Sequence, residues 1–170
     1  GQVVVSGLTA GGAATNINGT PNGTTTVSGF TRDLRISMLG SDDTVAISAL
    51  TIRGNAVIRM GEGDDTLTIS DVVAKGNVRV NLGGGADTLT LTDTTVAGST
   101  TLLGGKGNDN LTVDTVATKK FNTRLENGND MLTISNVTAA TTHIDGGLGT
   151  NTLMDDFTSN LYNPLVRRIT

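Results

Sequence analysis

The chain has 170 residues, a net charge of −4, no cysteine and only four aromatic side chains, Phe30, Phe121, Phe157 and Tyr162. The acidic balance argues against nucleic acid as the main partner, and the lack of thiols excludes disulfides and thiolate zinc sites. With 23 glycines, two prolines and abundant Thr, Asn and Val, the composition favours strands and tight turns over helices.

Residues 1–33 keep no period. Val3, Val5 and Leu8 predict one strand and the run Thr24 to Phe30 another, with Asn18-Gly19 and Asn22-Gly23 as turns between them. A repeat protein needs an atypical end to cover its first open unit. This segment is therefore expected to be an N-terminal cap with an irregular coil or hairpin. No leader peptide is expected within the sequence, which has no long apolar run. The chain reads as a mature or excised soluble module, without membrane insertion.

From Leu34 onward a unit recurs, marked by Asp43, Asp65, Asp87, Asp109 and Asp130, with Asn151 in the sixth place; the steps are 22, 22, 22, 21 and 21 residues. Before each aspartate lie alternating sets such as Leu34/Ile36/Met38, Ala56/Ile58/Met60 and Val78/Val80/Leu82. After it lie Val45/Ile47, Leu67/Ile69 and Leu89/Leu91, and then a shorter set, Leu50/Ile52 and Val72/Ala74. Alternation of this kind is the mark of a half-buried strand. One such coil cannot bury its apolar side alone, but stacked coils bury it against their own equivalents. The expected fold is all-β: a parallel β-helix of about 22 residues and three strands per rung. It is expected to be right-handed, since no six-residue pattern appears. The rungs are expected over 34–155 and a C-terminal cap over 156–170, all within one domain. A two-sheet sandwich would require the period to be a coincidence.

The corner ahead of each aspartate is glycine-rich. Gly104-Gly105-Lys106-Gly107-Asn108-Asp109-Asn110-Leu111-Thr112 resembles the calcium-binding nonapeptide of repeat-in-toxin proteins, and the stretches from Met60 and Leu82 match at all but the first glycine. That family carries two such loops per shorter coil, so the likeness covers one corner of each rung. It is closer to the larger-coil repeats of secreted bacterial surface proteins. The resemblance implies Ca²⁺ held by Asp43, Asp65, Asp87, Asp109 and Asp130 with the corners of Gly61, Gly63, Gly83, Gly85, Gly105 and Gly107. Stacked carboxylates also repel, which suits a hard cation with oxygen ligands. The alternative is that each Asp or Asn caps its turn by accepting backbone N–H groups.

Other residues form outward rows. Thr66 and Thr88, with Thr68, Thr90 and Thr112, make a threonine face similar to that of ice-binding proteins, although Thr also suits any exposed strand. Arg35/Arg79 and Arg59/Arg124 fall in two columns, and Arg53, Lys75 and Lys119 make a third. These would hold an anionic polysaccharide or form a solvated face. Asp71, Asp93 and Asp114 near the strand ends are the candidates for a paired-carboxylate site. His143, the single histidine, has no nucleophile motif beside it, and no enzyme activity is expected. The expected role is a non-catalytic structural or adhesive module of an extracellular or cell-surface bacterial protein. Polysaccharide or other surface components are the expected partners, with end-to-end stacking on neighbouring repeats.

Overall fold

Alternating apolar and polar residues with a 22-residue period dictate strands that return to the same place on every turn, and these strands are the whole of the described architecture. A computed structural model describes residues 2–7, 16–17, 20–21, 24–27, 33–155 and 164–167. The strands are β1 (Gln2–Gly7), β2 (Asn16–Ile17), β3 (Thr20–Pro21), β4 (Thr24–Val27), β5 (Leu34–Ser37), β6 (Asp43–Ile52), β7 (Ala56–Glu62), β8 (Thr66–Ala74), β9 (Val78–Gly84), β10 (Thr88–Lys106), β11 (Asn110–Asn127), β12 (Met131–Asp145), β13 (Thr152–Asp155) and β14 (Pro164–Arg167). No helix occurs among the described residues. Among β5 to β14 all pairing is parallel, so the fold is a parallel β-solenoid.

Three walls follow from the register. The wall ahead of the aspartate stacks Leu34, Ala56, Val78, Thr100, Phe121 and Thr142 in one column. The wall after it stacks Val45, Leu67, Leu89, Leu111, Leu132 and Leu153. The short third wall stacks Leu50, Val72, Thr94, Val116 and Val137. The inward residues of these walls make one continuous core, with Ile58, Met60, Leu82, Leu89, Leu102 and Leu125 fully buried. Each inward aliphatic contributes about 1.5–3 kcal/mol when fully buried, so a rung with up to seven carries its own share of stability. Size is balanced along columns: Phe121, the largest buried side chain, stands between Thr100 and Thr142.

Each rung turns at three corners. The glycine–aspartate corner joins the first wall to the second. The bend into the third wall is made by one left-handed residue per rung, Ala49, Asp71, Asp93, Thr115 and Asn136. Asp71, Asp93 and Asn136 are of the types that tolerate this conformation, but Ala49 and Thr115 are not, so the residues mark the bend only in part. The last corner carries Gly54-Asn55, Gly76-Asn77 and Gly98-Ser99, and there the coil shortens from 22 residues to 21. The register slips between Val96 and Ser99 against β11. Gly98 N–H still donates to Gly76 O at 3.0 Å, but on the shorter rung the Thr118 hydroxyl donates to Gly98 O at 3.0 Å. A side-chain hydroxyl thus stands in for the backbone donor that the deletion removed.

The ends differ in kind. β1 lies antiparallel on β6, and β4 antiparallel on β1, so an antiparallel pair covers the open edge of the first rung. Such a cover removes a row of free edge groups. β2 pairs antiparallel with β3, Asn16 opposite Pro21, as the expected hairpin requires, and the rest of the expected N-terminal cap lies outside the described residues. At the other end, four of the residues assigned by sequence to a C-terminal cap keep the register: β14 pairs parallel with β12, Pro164 opposite Thr142, 22 residues on. Proline at the start of that strand and arginine at its end hide the repeat from inspection.

Candidate functional site

A side chain at one position of every rung meets its equivalents one strand spacing away. The five aspartates and Asn151 are therefore forced into one column. All six are buried, none more than 2 % exposed. The N–H of Asp43 donates to Asp65 Oδ1 at 2.7 Å, that of Asp65 to Asp87 Oδ1 at 2.8 Å, and that of Asp87 to Asp109 Oδ1 at 3.0 Å. Asp109 N–H reaches Asp130 Oδ1 and Asp130 N–H reaches Asn151 Oδ1, both at 2.9 Å. Each side chain thus caps the rung before its own. For Asp65, Asp87, Asp109 and Asp130 the second oxygen, Oδ2, is buried with no hydrogen-bond partner. Burial pushes Asp65 up to about 7, Asp87 to about 6 and Asp109 to about 7, against the bond donated by the preceding rung's N–H; burial raises Asp130 as well. Neighbouring carboxylates add to the rise at Asp65 and Asp109, as Asp64 and Glu62 do at Asp87.

The glycines lie where the sequence places them. Gly61, Gly63, Gly83, Gly85, Gly105 and Gly107 all have positive φ. Their corners stack in contact: a Cβ on Gly85 would run into Gly63 O, and one on Gly107 into Gly85 O. Only glycine combines that backbone angle with that approach. Outside the buried column runs a second ladder with the opposite sense. Asp64 N–H donates to Asp42 Oδ1, Ala86 N–H to Asp64 Oδ1, and Asn129 N–H to Asn108 Oδ1, each from a later rung to an earlier one.

The repeat-in-toxin likeness implies calcium here, and the oxygens of the corner do not fit it. Ca²⁺ takes six to eight oxygens at about 2.3–2.6 Å. Oδ1 of each column member from Asp65 onward is occupied by an N–H. The corner carbonyls of Gly84, Lys106, Asn127 and Leu148 accept from Gly63, Gly85, Gly107 and Gly128. Of each carboxylate from Asp65 onward only Oδ2 is left without a donor. Among the described residues no three acidic or histidine side chains converge as metal ligands. Asn151 holds the same place with an amide whose Nδ2 donates to Gly146 O at 2.7 Å, the reverse of what a cation asks of that position.

A third ladder escaped the sequence reading. Asn55 N–H donates to Asp33 Oδ1 at 2.8 Å, Asn77 N–H to Asn55 Oδ1 at 2.9 Å, and Ser99 N–H to Asn77 Oδ1 at 2.8 Å. The 22-residue recurrence of Gly-Asn at 54–55 and 76–77 is the signal that would have found it.

The remaining candidates are separated or joined by register. Thr68, Thr90, Thr112 and Thr133 do form one column, half-buried on the wall after the aspartate. Asp71 and Asp93 sit at the left-handed bend, whereas Asp114 stands one place earlier, opposite Thr92 and Ser135. Asp114 therefore does not stack with the other two. Asp114 instead accepts from Ser135 Oγ at 2.6 Å and Asn136 Nδ2 at 2.9 Å, bonds that hold its carboxyl below the usual range. On the wall ahead of the aspartate, Arg79, Thr101, Asn122 and His143 fall in one column, with Leu103 and Arg124 in the next. With Leu102 and the acidic Glu126 they line a shallow depression of about 390 Å³. Among the described residues neither arginine forms an ion pair.

Comparison with protein-family models, with curated proteins and with solved structures gives no match.

Proposed function

We propose that the chain is a non-catalytic structural module of a secreted or cell-surface bacterial protein, with an adhesive face on the wall ahead of the aspartate. The observation that carries this reading is the continuity of the coil. β10, β11 and β12 run from wall to wall as strands of 19, 18 and 15 residues, with no inserted loop on which a reaction site would be built. Uniform rungs that contact only their neighbours make a stiff rod. The extracellular setting rests on the likeness of the glycine–aspartate corner to those of secreted surface proteins. The reading places no calcium in the aspartate column.

The adhesive part rests on the depression between Arg79 and Arg124. Two guanidinium groups without an ion pair among the described residues flank the hydrogen-bonding side chains Thr101, Asn122 and His143, with one acid, Glu126, beside them, a combination suited to the carboxylate or sulfate and the hydroxyls of an acidic polysaccharide. Screening the purified chain against neutral and acidic glycans tests it. Salt-sensitive retention of acidic glycans, lost in Arg79→Ala/Arg124→Ala, is the expected result. Equal binding by that variant removes the adhesive face. Depolymerisation of any retained glycan removes the non-catalytic reading.

A further inference from the structure

A buried carboxylate needs a positive partner, and the column offers no cation site. Its sixth member shows what satisfies the position. Asn151 accepts the N–H of Asp130 through Oδ1 and donates through Nδ2 to Gly146 O, the carbonyl five residues before it. The aspartates make the same Oδ1 bond, and their second oxygen is buried with no hydrogen-bond donor to it. A buried oxygen without a donor is costly if the acid is ionised and far less so if it carries a proton. A protonated carboxyl is shaped like an amide, with one acceptor and one donor.

We propose that Asp65, Asp87, Asp109 and Asp130 stand in the folded solenoid as neutral carboxylic acids, each with its proton on Oδ2, making the column a proton-binding element that couples the stability of the rungs to acidity. The bound proton comes from water on folding and returns to it on unfolding or ionisation; no other bond changes. The charges bearing on the column reinforce the protonated form. Within the corner and on the rungs packed against it they are Asp42, Asp43, Glu62, Asp64 and Glu126, all acidic. The single base in these corners, Lys106, is exposed.

Burial pushes Asp65 and Asp109 up to about 7 and Asp87 to about 6, and raises Asp130, whereas the same residues in the unfolded chain titrate at about 4. Between those values the folded state binds more protons than the unfolded one. Stability is therefore full at the acidic end, falls as pH rises through the folded values, and is flat above them.

The experiment uses the whole 170-residue chain and an Asp87→Asn/Asp109→Asn variant in chelator. The wild-type melting temperature should fall between about pH 5 and about pH 8, with the variant showing a shallower fall and the higher value at the alkaline end. At about pH 5.5, where exposed carboxylates are ionised, the infrared spectrum of the folded wild type should show the C=O stretch of protonated carboxylic acid, reduced by about half in the variant, since two of the four acids are replaced. A wild-type melting temperature that rises with pH overturns the proposal. So does a variant selectively destabilised at the alkaline end, or calcium that raises the wild type and not the variant. If the variant does not fold, the wild-type spectrum decides alone: no protonated-acid band overturns it.

Discussion

Two corners of the same coil solve the same problem with opposite chemistry. At the asparagine corner, the amide side chains of Asn55 and Asn77 accept N–H groups in an exposed setting, where a charge would cost little. At the aspartate corner, acids do that job in a setting with almost no solvent contact, where a charge costs most. The sense of the bonds differs too: at the asparagine corner a rung caps the one after it, at the aspartate column the one before it. Acids in the dry corner and amides in the wet one are the reverse of what solvation alone selects. The contrast makes sense once the acids are neutral, because then both corners present an amide-like group and only one of them answers to pH.

That contrast breaks most visibly at the glycines. Gly107→Ala places a Cβ against Gly85 O at a φ of 116°. A loss of about 4 kcal/mol or more is expected, because strain and backbone overlap coincide. Urea denaturation reads it as a lower midpoint or as failure to fold. Next in size is Asp87→Ala, which leaves the buried N–H of Asp65 without its acceptor. An orphaned buried donor costs about 1–3 kcal/mol, and the loss should be larger at about pH 5 than at about pH 8, where the wild-type acid is itself strained by ionisation. At the wet corner the effects shrink. Asn77→Ala removes the bond from Ser99 N–H, but water replaces it, so about 1 kcal/mol or less is expected. Asn77→Asp should be close to neutral across the same pH range, as Asp33 already fills that column. A pH-dependent Asn77→Asp melt would erase the distinction between the two corners.

The columns and the period were open to reading because the fold reuses one position every turn, so Leu67, Leu89 and Leu111 announce their neighbours. What the aspartates do was less legible. Their spacing gave the column, but the sense of the N–H bonds depends on a stagger of the rungs that no residue type encodes. The bend at Ala49, Asp71, Asp93, Thr115 and Asn136 left only a partial trace, since its demand is on the backbone and Ala49 and Thr115 meet it as well as the Asp and Asn residues do. The asparagine ladder was visible at 22-residue spacing and was overshadowed by the glycine–aspartate motif. The stacked acids read at Asp71, Asp93 and Asp114 failed for a related reason: a one-residue offset moves Asp114 out of the bend and into the bonds of Ser135 and Asn136.

Drawn from its ends like thread from a spool, such a coil gives way one turn at a time. Every rung is fastened to the next by a wall of parallel strand bonds and by ladder bonds whose partners lie 21 or 22 residues away. None of those bonds can lengthen while the turn stays seated. Releasing one turn frees about 22 residues, or roughly 75 Å of extended chain, while the rod itself shortens by a single strand spacing of about 4.8 Å. A molecule built this way resists tension in nearly equal steps and loses little of its length to each.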